Sequence, residues 1–271
     1  MNILLACTLA AIALAERSPR LRFERSPFLR GGFGTDFFYL ATGAVALGLA
    51  VRHAVARLAE GSAGAAPAPS ALSAPLAIGL AIVLYDLGAY AAHLLLHRIE
   101  ALWRLHEVHH SSPTLDWIAT FRAHPGEHAL RHLVSPALLL LVGFPVSCVA
   151  VATAIYTAWA AFAHANLRIG LRCLEPLLIT PRLHRLHHVP GTSGQNLGTI
   201  FSFWDRMRGS LVTDPAAPLA PLGVPGREAS YPQAWLAQLV EPFRRARGDG
   251  GLPVEAALVA TRRAGGRISG A

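Results

Sequence analysis

Four apolar segments limit how this chain can fold. They cover residues 3–15, 36–51, 71–96 and 133–163, and hydrophobic residues make up 53% of the sequence, whereas charged residues make up only 15%. Soluble domains carry about 25% charged residues, so this chain lacks the polar side chains needed to cover a water-facing surface. A helix needs about 20 apolar residues to cross a bilayer. The sequence therefore predicts an all-α integral membrane protein.

Two of these segments need separate interpretation. Pro145 lies near the middle of residues 133–163, and because proline removes a backbone donor and breaks a helix, we expect a hairpin of two short helices there. Residues 3–15 are similar to the apolar part of a signal peptide, but no basic residue precedes them. We interpret them as a retained short membrane helix. About four transmembrane helices or hairpins are expected in all.

The placement of arginine predicts the orientation in the membrane. Five arginines lie between the first two apolar segments: Arg17, Arg20, Arg22, Arg25 and Arg30. Because cytoplasmic loops are enriched in arginine and lysine, we expect this loop in the cytoplasm. The later segments then return to the same side, and the histidine-rich part of the chain forms a cytoplasmic helical cap. The net charge of +8 has this topological explanation, so no nucleic-acid partner is expected.

Histidines are concentrated in one part of the chain. Twelve of the thirteen fall between positions 93 and 188. His93 and His97 form an H-x-x-x-H pair, and two H-x-x-H-H triplets follow, at 106–110 and 184–188. Residues three and four apart share one face of a helix, so each triplet is expected to direct two or three imidazoles at one point. Imidazole is a preferred ligand of first-row transition metals.

The number of histidines exceeds what one metal needs. A tetrahedral zinc takes about four ligands, whereas the pair and the two triplets supply eight histidines and His164 adds a ninth. Two metals are therefore predicted. Soluble dimetal oxygenases bridge their irons with glutamates, and here only Glu107 and Glu127 lie close to the clusters. The site is thus predicted to be rich in histidine rather than carboxylate.

The order of the motifs resembles that of the fatty acid hydroxylase superfamily, in particular its sterol desaturase-like branch. The matching positions, between about Asp86 and Ser210, are His93 and His97, then W-x-x-H-x-x-H-H-S from Trp103, R-x-H-P from Arg122, P-x-x-H-x-x-H-H from Pro181, N-x-G from Asn196 and W-D-R from Trp204. This resemblance implies a non-haem di-iron centre that uses O₂ to hydroxylate or desaturate a lipid, such as a sterol or a fatty acyl chain.

The resemblance also implies a set of ligands. His164 matches an isolated histidine of the family, whereas Arg168 stands where some members have a further histidine, and His124 is the best substitute for it. The candidate metal ligands are His93, His97, His106, His109, His110, His124, His164, His184, His187 and His188. Asp86, Glu127, Asn196 and Asp205 are candidates for a supporting role around them. We expect Asp86 and Asp205 to accept imidazole N–H groups, although Asp86 is equally suited to pair with an arginine.

The resemblance divides the chain into three parts. Residues 1–70 are expected to form N-terminal membrane helices and a linker, residues 71–212 the catalytic domain, and residues 213–271 a cytoplasmic tail with a surface helix at 235–247. A location in the bacterial inner membrane follows, with the active site facing the cytoplasm. No cofactor-binding motif for electron transfer occurs in the sequence, so two electrons must come from a separate ferredoxin, cytochrome or reductase.

Two other functions are compatible with a histidine-rich membrane protein. One is a zinc-dependent membrane hydrolase, in which a metal-bound water is the nucleophile, but three histidines per metal would leave several unexplained. The other is a metal transporter or metal-binding membrane protein. Transporters place their ligands near the middle of the membrane, whereas these histidines are expected at the inner ends of the spans.

Overall fold

The computed structural model describes residues 3–27, 29–49, 53, 57, 72–169, 171–192, 194–213 and 220–244. These residues form helices and no β-strand, with one isolated bridge between Leu178 and Phe201. The helices are α1 (Ile3–Ala15), α2 (Phe33–Tyr39), α3 (Ala74–Arg98), α4 (Glu100–His110), α5 (Pro125–Val142), α6 (Val146–His164), α7 (Pro181–His187), α8 (Phe203–Arg208) and α9 (Trp235–Arg244). A π-helix, Leu40–Leu47, continues α2, and 3₁₀ turns cover Trp117–Phe121 and Arg172–Leu174.

The apolar segments become helices close to their predicted positions. The expected hairpin is α5 and α6, and the turn between them contains Gly143, whose φ of +94° ends α5. Two of the described helices, α3 and α6, are long and apolar enough to cross a membrane, and α1 is a shorter apolar helix. The expected linker between positions 61 and 71 and the end of the tail after residue 244 lie outside the described residues.

Helix α3 packs between α5 and α6 through small side chains. Ala81 on α3 and Ala152 on α6 are fully buried, together with Tyr85 and Leu139. Alanine at such positions allows helices to approach each other closely, which is how helices commonly pack in membranes. The C-terminal ends of α3 and α6 and the N-terminal end of α5 lie at the same end of this bundle, and the histidines are there.

The N-terminal part of the chain packs against this same end. Leu9 and Ile12 of α1 contact Ala161 of α6 in one hydrophobic cluster. Just after α1, the Glu16 carboxylate accepts hydrogen bonds from the backbone N–H groups of Trp117, at 2.9 Å, and Asn166, at 2.7 Å. The segment before the predicted catalytic domain therefore takes part in the structure around the histidines.

Candidate metal centre

Nine buried histidines meet in two adjacent groups. One ring nitrogen of each lies within 4.8 Å of those of the other members of its group. The five-histidine group is His93, His97, His106, His110 and His187, and the four-histidine group is His109, His164, His184 and His188. The groups touch each other, since the ring centroids of His110 and His188 are 4.4 Å apart.

Each H-x-x-H-H triplet contributes to both groups. On α4, His106 and His110 belong to the five-histidine group, whereas His109 belongs to the four-histidine group. At α7 the division is reversed, because His187 joins the five-histidine group and His184 and His188 join the other. Each triplet therefore directs two imidazoles at one group and the third at the other, in agreement with the lower number expected. Residues three and four apart are neighbours on one face of a helix. The two adjacent groups lie along the two edges of that face.

Hydrogen bonds at Nδ1 fix the orientation of several of these rings. In the five-histidine group, His93 donates to the Leu197 carbonyl at 2.7 Å, His187 to the Gln195 carbonyl at 2.8 Å, and His106 to the Glu127 carboxylate at 2.9 Å. Carbonyl and carboxylate oxygens only accept, so the proton of each ring is on Nδ1. Nε2 then carries a lone pair directed into the group.

In the four-histidine group, backbone carbonyls orient two of the rings in the same way. His109 donates from Nδ1 to the carbonyl of Arg122 at 2.9 Å, and His164 donates to the carbonyl of Ala160 at 2.8 Å. Their Nε2 atoms lie 3.0 Å apart. In the other group, the Nε2 atoms of His93 and His106 are also 3.0 Å apart.

This arrangement fits metal ions better than it fits an apolar core. Two neutral rings that both hold their proton on Nδ1 place two lone pairs against each other at Nε2, and no hydrogen bond forms between them. Within the described part of the chain, both ring nitrogens of His110 and Nε2 of His187 have no hydrogen-bond partner. Buried polar atoms normally have partners, and metal ligation would supply a partner for Nε2 of His187 and for one ring nitrogen of His110.

Burial also keeps these imidazoles neutral. For the histidines on and beside α4 and α7, the protein interior lowers the pKa because it disfavours the charged ring. The pKa of His187 falls to about 3, and those of His109, His110, His184 and His188 fall well below their usual value, with the neighbouring imidazoles adding to the effect of burial. Neutral imidazole is the form that binds metals.

Glu127 is the candidate supporting residue that contacts a histidine. Its fully buried carboxylate accepts the His106 N–H and also pairs with Arg131, 3.2 Å away. Arg131 in turn donates to the Tyr156 hydroxyl at 3.0 Å. A histidine held between a carboxylate and a metal is a common way to orient a ligand and raise its basicity.

Asp86 and Asp205 act on the backbone rather than on imidazole. Asp86 accepts hydrogen bonds from Ile200 N–H, Phe201 N–H and the Trp204 indole. Asp205 accepts from the Gly198 N–H at 2.7 Å. Both carboxylates therefore hold the loop whose Leu197 carbonyl orients His93. The expected contact with an imidazole N–H is replaced by this indirect support, because the loop lies between these aspartates and the ring.

Asn196 and Gly198 shape that loop. Asn196 has a φ of +52°, and its side chain donates to the carbonyls of Leu183 and Val212, at 3.1 and 2.9 Å. Asparagine is among the residues that tolerate this left-handed conformation. At Gly198 a Cβ atom would collide with the Phe201 carbonyl oxygen. The N-x-G motif thus allows the tight path that brings the carbonyls of Gln195 and Leu197 to the histidines.

The structure places His124 outside both groups. Its ring accepts from the Gly126 N–H at 3.1 Å at the start of α5, and its Nε2 lies 3.2 Å from the Leu239 carbonyl. His128 contacts the Phe121 carbonyl at 3.1 Å and stacks on His132. The expected substitute ligand therefore caps a helix in this structure, whereas the other nine candidates come together.

A buried ionic network, which no sequence pattern predicted, lies behind the four-histidine group. Arg122, whose carbonyl orients His109, is fully buried and its guanidinium pairs with Asp36. Asp36 also pairs with Arg30 at 2.6 Å, and Arg30 donates two hydrogen bonds of 2.7 Å to Asp116. Arg122 also donates to the Gln233 side chain at 2.8 Å.

Comparison with known proteins identifies the family. The fatty acid hydroxylase family model matches residues 78–210. The ornithine lipid hydroxylase OlsE of Rhizobium tropici is 31% identical over 261 residues, which cover 90% of this chain and 76% of that protein. The chain belongs to the fatty acid hydroxylase superfamily.

Other relatives match a shorter part of this superfamily member. The alkylglycerol monooxygenase of Danio rerio is 31% identical over 137 residues, which are 50% of this chain and 30% of that protein. The alkylglycerol monooxygenase of Xenopus tropicalis is 29% identical over 133 residues, 48% of this chain and 29% of that protein. No solved structure matches this chain.

The superfamily expected from the motifs is thus confirmed, and the sterol desaturase-like branch stays a prediction. The resemblance was expected to span only about Asp86 to Ser210. The similarity to the ornithine lipid hydroxylase covers 90% of the chain, which agrees with the contacts that Glu16, Arg30 and Asp36 make around the histidines.

Proposed function

We propose that this protein is a membrane-bound di-iron oxygenase that hydroxylates a membrane lipid. The observation that carries the proposal is the pair of buried histidine groups in a member of the fatty acid hydroxylase superfamily. Two of the similar proteins are named as a lipid hydroxylase and a monooxygenase. These names favour hydroxylation over desaturation, and a lipid with a long acyl or alkyl chain over a sterol.

The nine histidines of the two groups are the proposed ligands, without His124. When bound, two irons supply the activation of O₂, using two electrons from a separate ferredoxin, cytochrome or reductase. The protein's own residues hold the imidazoles with Nε2 facing inward, through the carbonyls of Leu197, Gln195 and Arg122 and the Glu127 carboxylate. Burial of all nine rings excludes bulk water from the place of reaction.

The membrane arrangement is part of the proposal. The superfamily and the two long apolar helices indicate a membrane protein. We infer that α3, α5 and α6 lead a lipid chain from the bilayer to the histidines, which lie at the cytoplasmic face of an inner membrane. About four crossings, two of them provided by α3 and α6, place the ends that carry His97 and His164 on that side.

The proposal is tested by oxygen incorporation. The protein is purified anaerobically in lipid nanodiscs and supplied with iron, a ferredoxin and its reductase, bacterial lipid extract and ¹⁸O₂. The expected result is O₂ uptake that depends on lipid, and a lipid product heavier by one ¹⁸O atom. His110→Ala removes one proposed ligand and should abolish both signals, whereas His132→Ala, outside both groups, is the matched control and should retain them.

Two outcomes would contradict the proposal. A zinc-dependent hydrolase would release a hydrolysis product without consuming O₂ and would lose activity when iron replaces zinc. A metal transporter would move iron or zinc across the membrane of a sealed vesicle and would show no lipid product. Retention of ¹⁸O incorporation in His110→Ala would show that the assignment of ligands is wrong.

A further inference from the structure

The C-terminal helix α9 has its polar side inward and its apolar side outward. Leu236, Val240 and Phe243 are 68%, 45% and 72% exposed. They are four and three residues apart, so they form one stripe along the helix. On the opposite side Gln238 is completely buried. A helix on the surface of a soluble protein normally shows the reverse arrangement.

Hydrogen bonds fix α9 in this orientation. Gln238 donates to the Ser111 hydroxyl at 3.0 Å, and Gln233, just before the helix, donates to the Ser111 carbonyl at 3.0 Å. Ser111 directly follows α4, the helix that carries three of the proposed ligands. The polar side of α9 is therefore bound to the end of α4, and the helix cannot rotate to bury its apolar stripe without leaving these donors unpaired.

The apolar stripe continues a surface that the sequence assigns to the membrane. Trp235 at the start of α9 stacks on Phe38 of α2, with ring centroids 5.6 Å apart. Phe37 and Phe38 are more than half exposed, and so is Leu49, beyond the π-helix that extends α2. Residues 36–51 are one of the four apolar segments. The exposed stripe of α9 is thus continuous with a predicted transmembrane surface.

The positive charge at the end of α9 also fits a membrane surface. Arg244 is exposed at the last turn, and the sequence continues with Arg245 and Arg247. Helices that lie in the membrane interface combine one apolar face with basic residues that reach anionic headgroups. The negative charge of Glu241 does not cancel this positive charge, because Glu241 pairs with Arg227.

We propose that α9 lies in the membrane interface, with Leu236, Val240 and Phe243 in the acyl-chain boundary of the bilayer. The helix then belongs to the membrane surface beside α2, rather than to a tail free in the cytoplasm. Phe243 also contacts the His124 ring, at 5.6 Å between centroids. The lipid surface thereby reaches the start of α5, next to the proposed metal centre.

The test compares the surroundings of a nitroxide label at three positions in nanodiscs that contain phosphatidylethanolamine and phosphatidylglycerol. The three native cysteines, Cys7, Cys148 and Cys173, are replaced by alanine. Val240→Cys carries the test label, Leu80→Cys on α3 is the lipid-exposed control, and Ala229→Cys in the loop before α9 is the aqueous control. Collision with O₂ reports lipid exposure, and collision with a water-soluble nickel chelate reports exposure to water.

We expect the label at Val240→Cys to behave like that at Leu80→Cys, with high access to O₂ and several-fold lower access to nickel than the label at Ala229→Cys. Access to nickel equal to that of Ala229→Cys would overturn the proposal. Protection from both reagents would also overturn it, since a protein partner or a second copy would then cover the stripe. Leu236→Cys provides a second test position if Val240→Cys does not fold.

This inference rests on the membrane location of the protein and not on its chemistry. If the label at Leu80→Cys is itself exposed to water, the membrane location is wrong. If Leu80→Cys is lipid-exposed and Val240→Cys is not, only the position of α9 is wrong. The two failures are therefore distinguishable.

Discussion

The two histidine groups differ in what supports them. In the five-histidine group, His106 is hydrogen-bonded to a buried carboxylate, Glu127. In the four-histidine group, the Nδ1 donors of His109 and His164 both reach backbone carbonyls. A carboxylate makes an imidazole more electron-donating than a carbonyl does. A metal in the five-histidine group is therefore expected to favour its higher oxidation state, whereas a metal with four imidazoles has more positions open to other ligands.

The groups also depend on different parts of the chain. The five-histidine group is oriented by α5 and by the loop that Asp86 and Asp205 hold. The four-histidine group depends on Arg122, and so on Asp36 in the N-terminal segment. The two adjacent histidine groups are thus positioned by two nearly separate sets of contacts, and changes at one set should first affect the metal proposed for that group.

Removing a ligand from each group should have the largest effect. Both His109→Ala and His187→Ala should abolish turnover. His187→Ala leaves four imidazoles in its group and should keep most of its iron, whereas His109→Ala leaves three and should lose more. Iron analysis of the two purified variants measures the difference. Equal loss of iron from both, or turnover in either, would contradict the division into five and four ligands.

Removing the Arg122 side chain should destabilise the protein and the four-histidine group together. Breaking a buried ion pair costs about 3–5 kcal/mol, and the lower end applies here because Arg30 still neutralises Asp36. Arg122→Ala should therefore melt at a lower temperature and lose iron mainly from the four-histidine group.

The control for this prediction is the double variant Arg122→Ala/Asp36→Ala. It also removes the carboxylate with which Arg122 pairs, so it should lose less stability than the sum of the losses in Arg122→Ala and Asp36→Ala in a double-mutant cycle. Melting in detergent and ⁵⁷Fe Mössbauer spectra measure the two effects. Wild-type stability of Arg122→Ala, or the same loss of iron from both groups, would show that Arg122 does not support one group selectively.

Neutralising Glu127 should act on the other group. Glu127→Gln keeps an acceptor for the His106 N–H but removes the negative charge, and changes to such supporting residues typically lower metal affinity or activity roughly 10- to 100-fold. The Mössbauer signal of one iron should shift while that of the other stays in place. Glu107→Gln is the matched control. This buried carboxylate is on the same helix as His106, but it lies 3.8 Å from Arg227. Equal shifts of both signals would refute the asymmetry.

The smallest effect is expected at Glu16, beside the four-histidine group. Burial raises the pKa of Glu16 from 4.5 to about 7. A carboxyl whose pKa is higher in the folded state stabilises the fold most at low pH, and this contribution is lost as the pH rises from 4.5 to about 7. Glu16→Gln has no such titration. The difference in melting temperature between Glu16→Gln and wild type should therefore grow across this interval, and a constant difference would contradict the account.

Local sequence patterns were enough to predict helices in the described residues and most of the histidines that meet. The apolar segments gave helices near their predicted positions, because helix formation there depends on local composition. Nine of the ten candidate ligands come together. Helical spacing predicted eight of them, in the pair and the two triplets, and the family resemblance supplied His164. The tenth, His124, rested on the R-x-H-P motif and on the absence of a histidine at position 168, and its helical spacing is with His128 and His132, which lie outside both groups.

The division of the nine into groups could not be predicted in this way. It depends on how α3, α4 and α7 cross, which no local pattern specifies. Most of the acceptors that orient the rings are backbone carbonyls, such as those of Leu197 and Ala160, and a carbonyl leaves no signature in the sequence. The Arg122–Asp36 pair joins residues 86 positions apart, so the role of the N-terminal segment appeared only in the structure.

The central claim is that this chain holds two metals in two unequal groups of histidines. The most direct test is the iron content and the ⁵⁷Fe Mössbauer spectrum of the anaerobically purified protein. Two irons per chain are expected, with two signals of equal intensity that differ in isomer shift or quadrupole splitting. One metal per chain, or tightly bound zinc that iron does not replace, would contradict it.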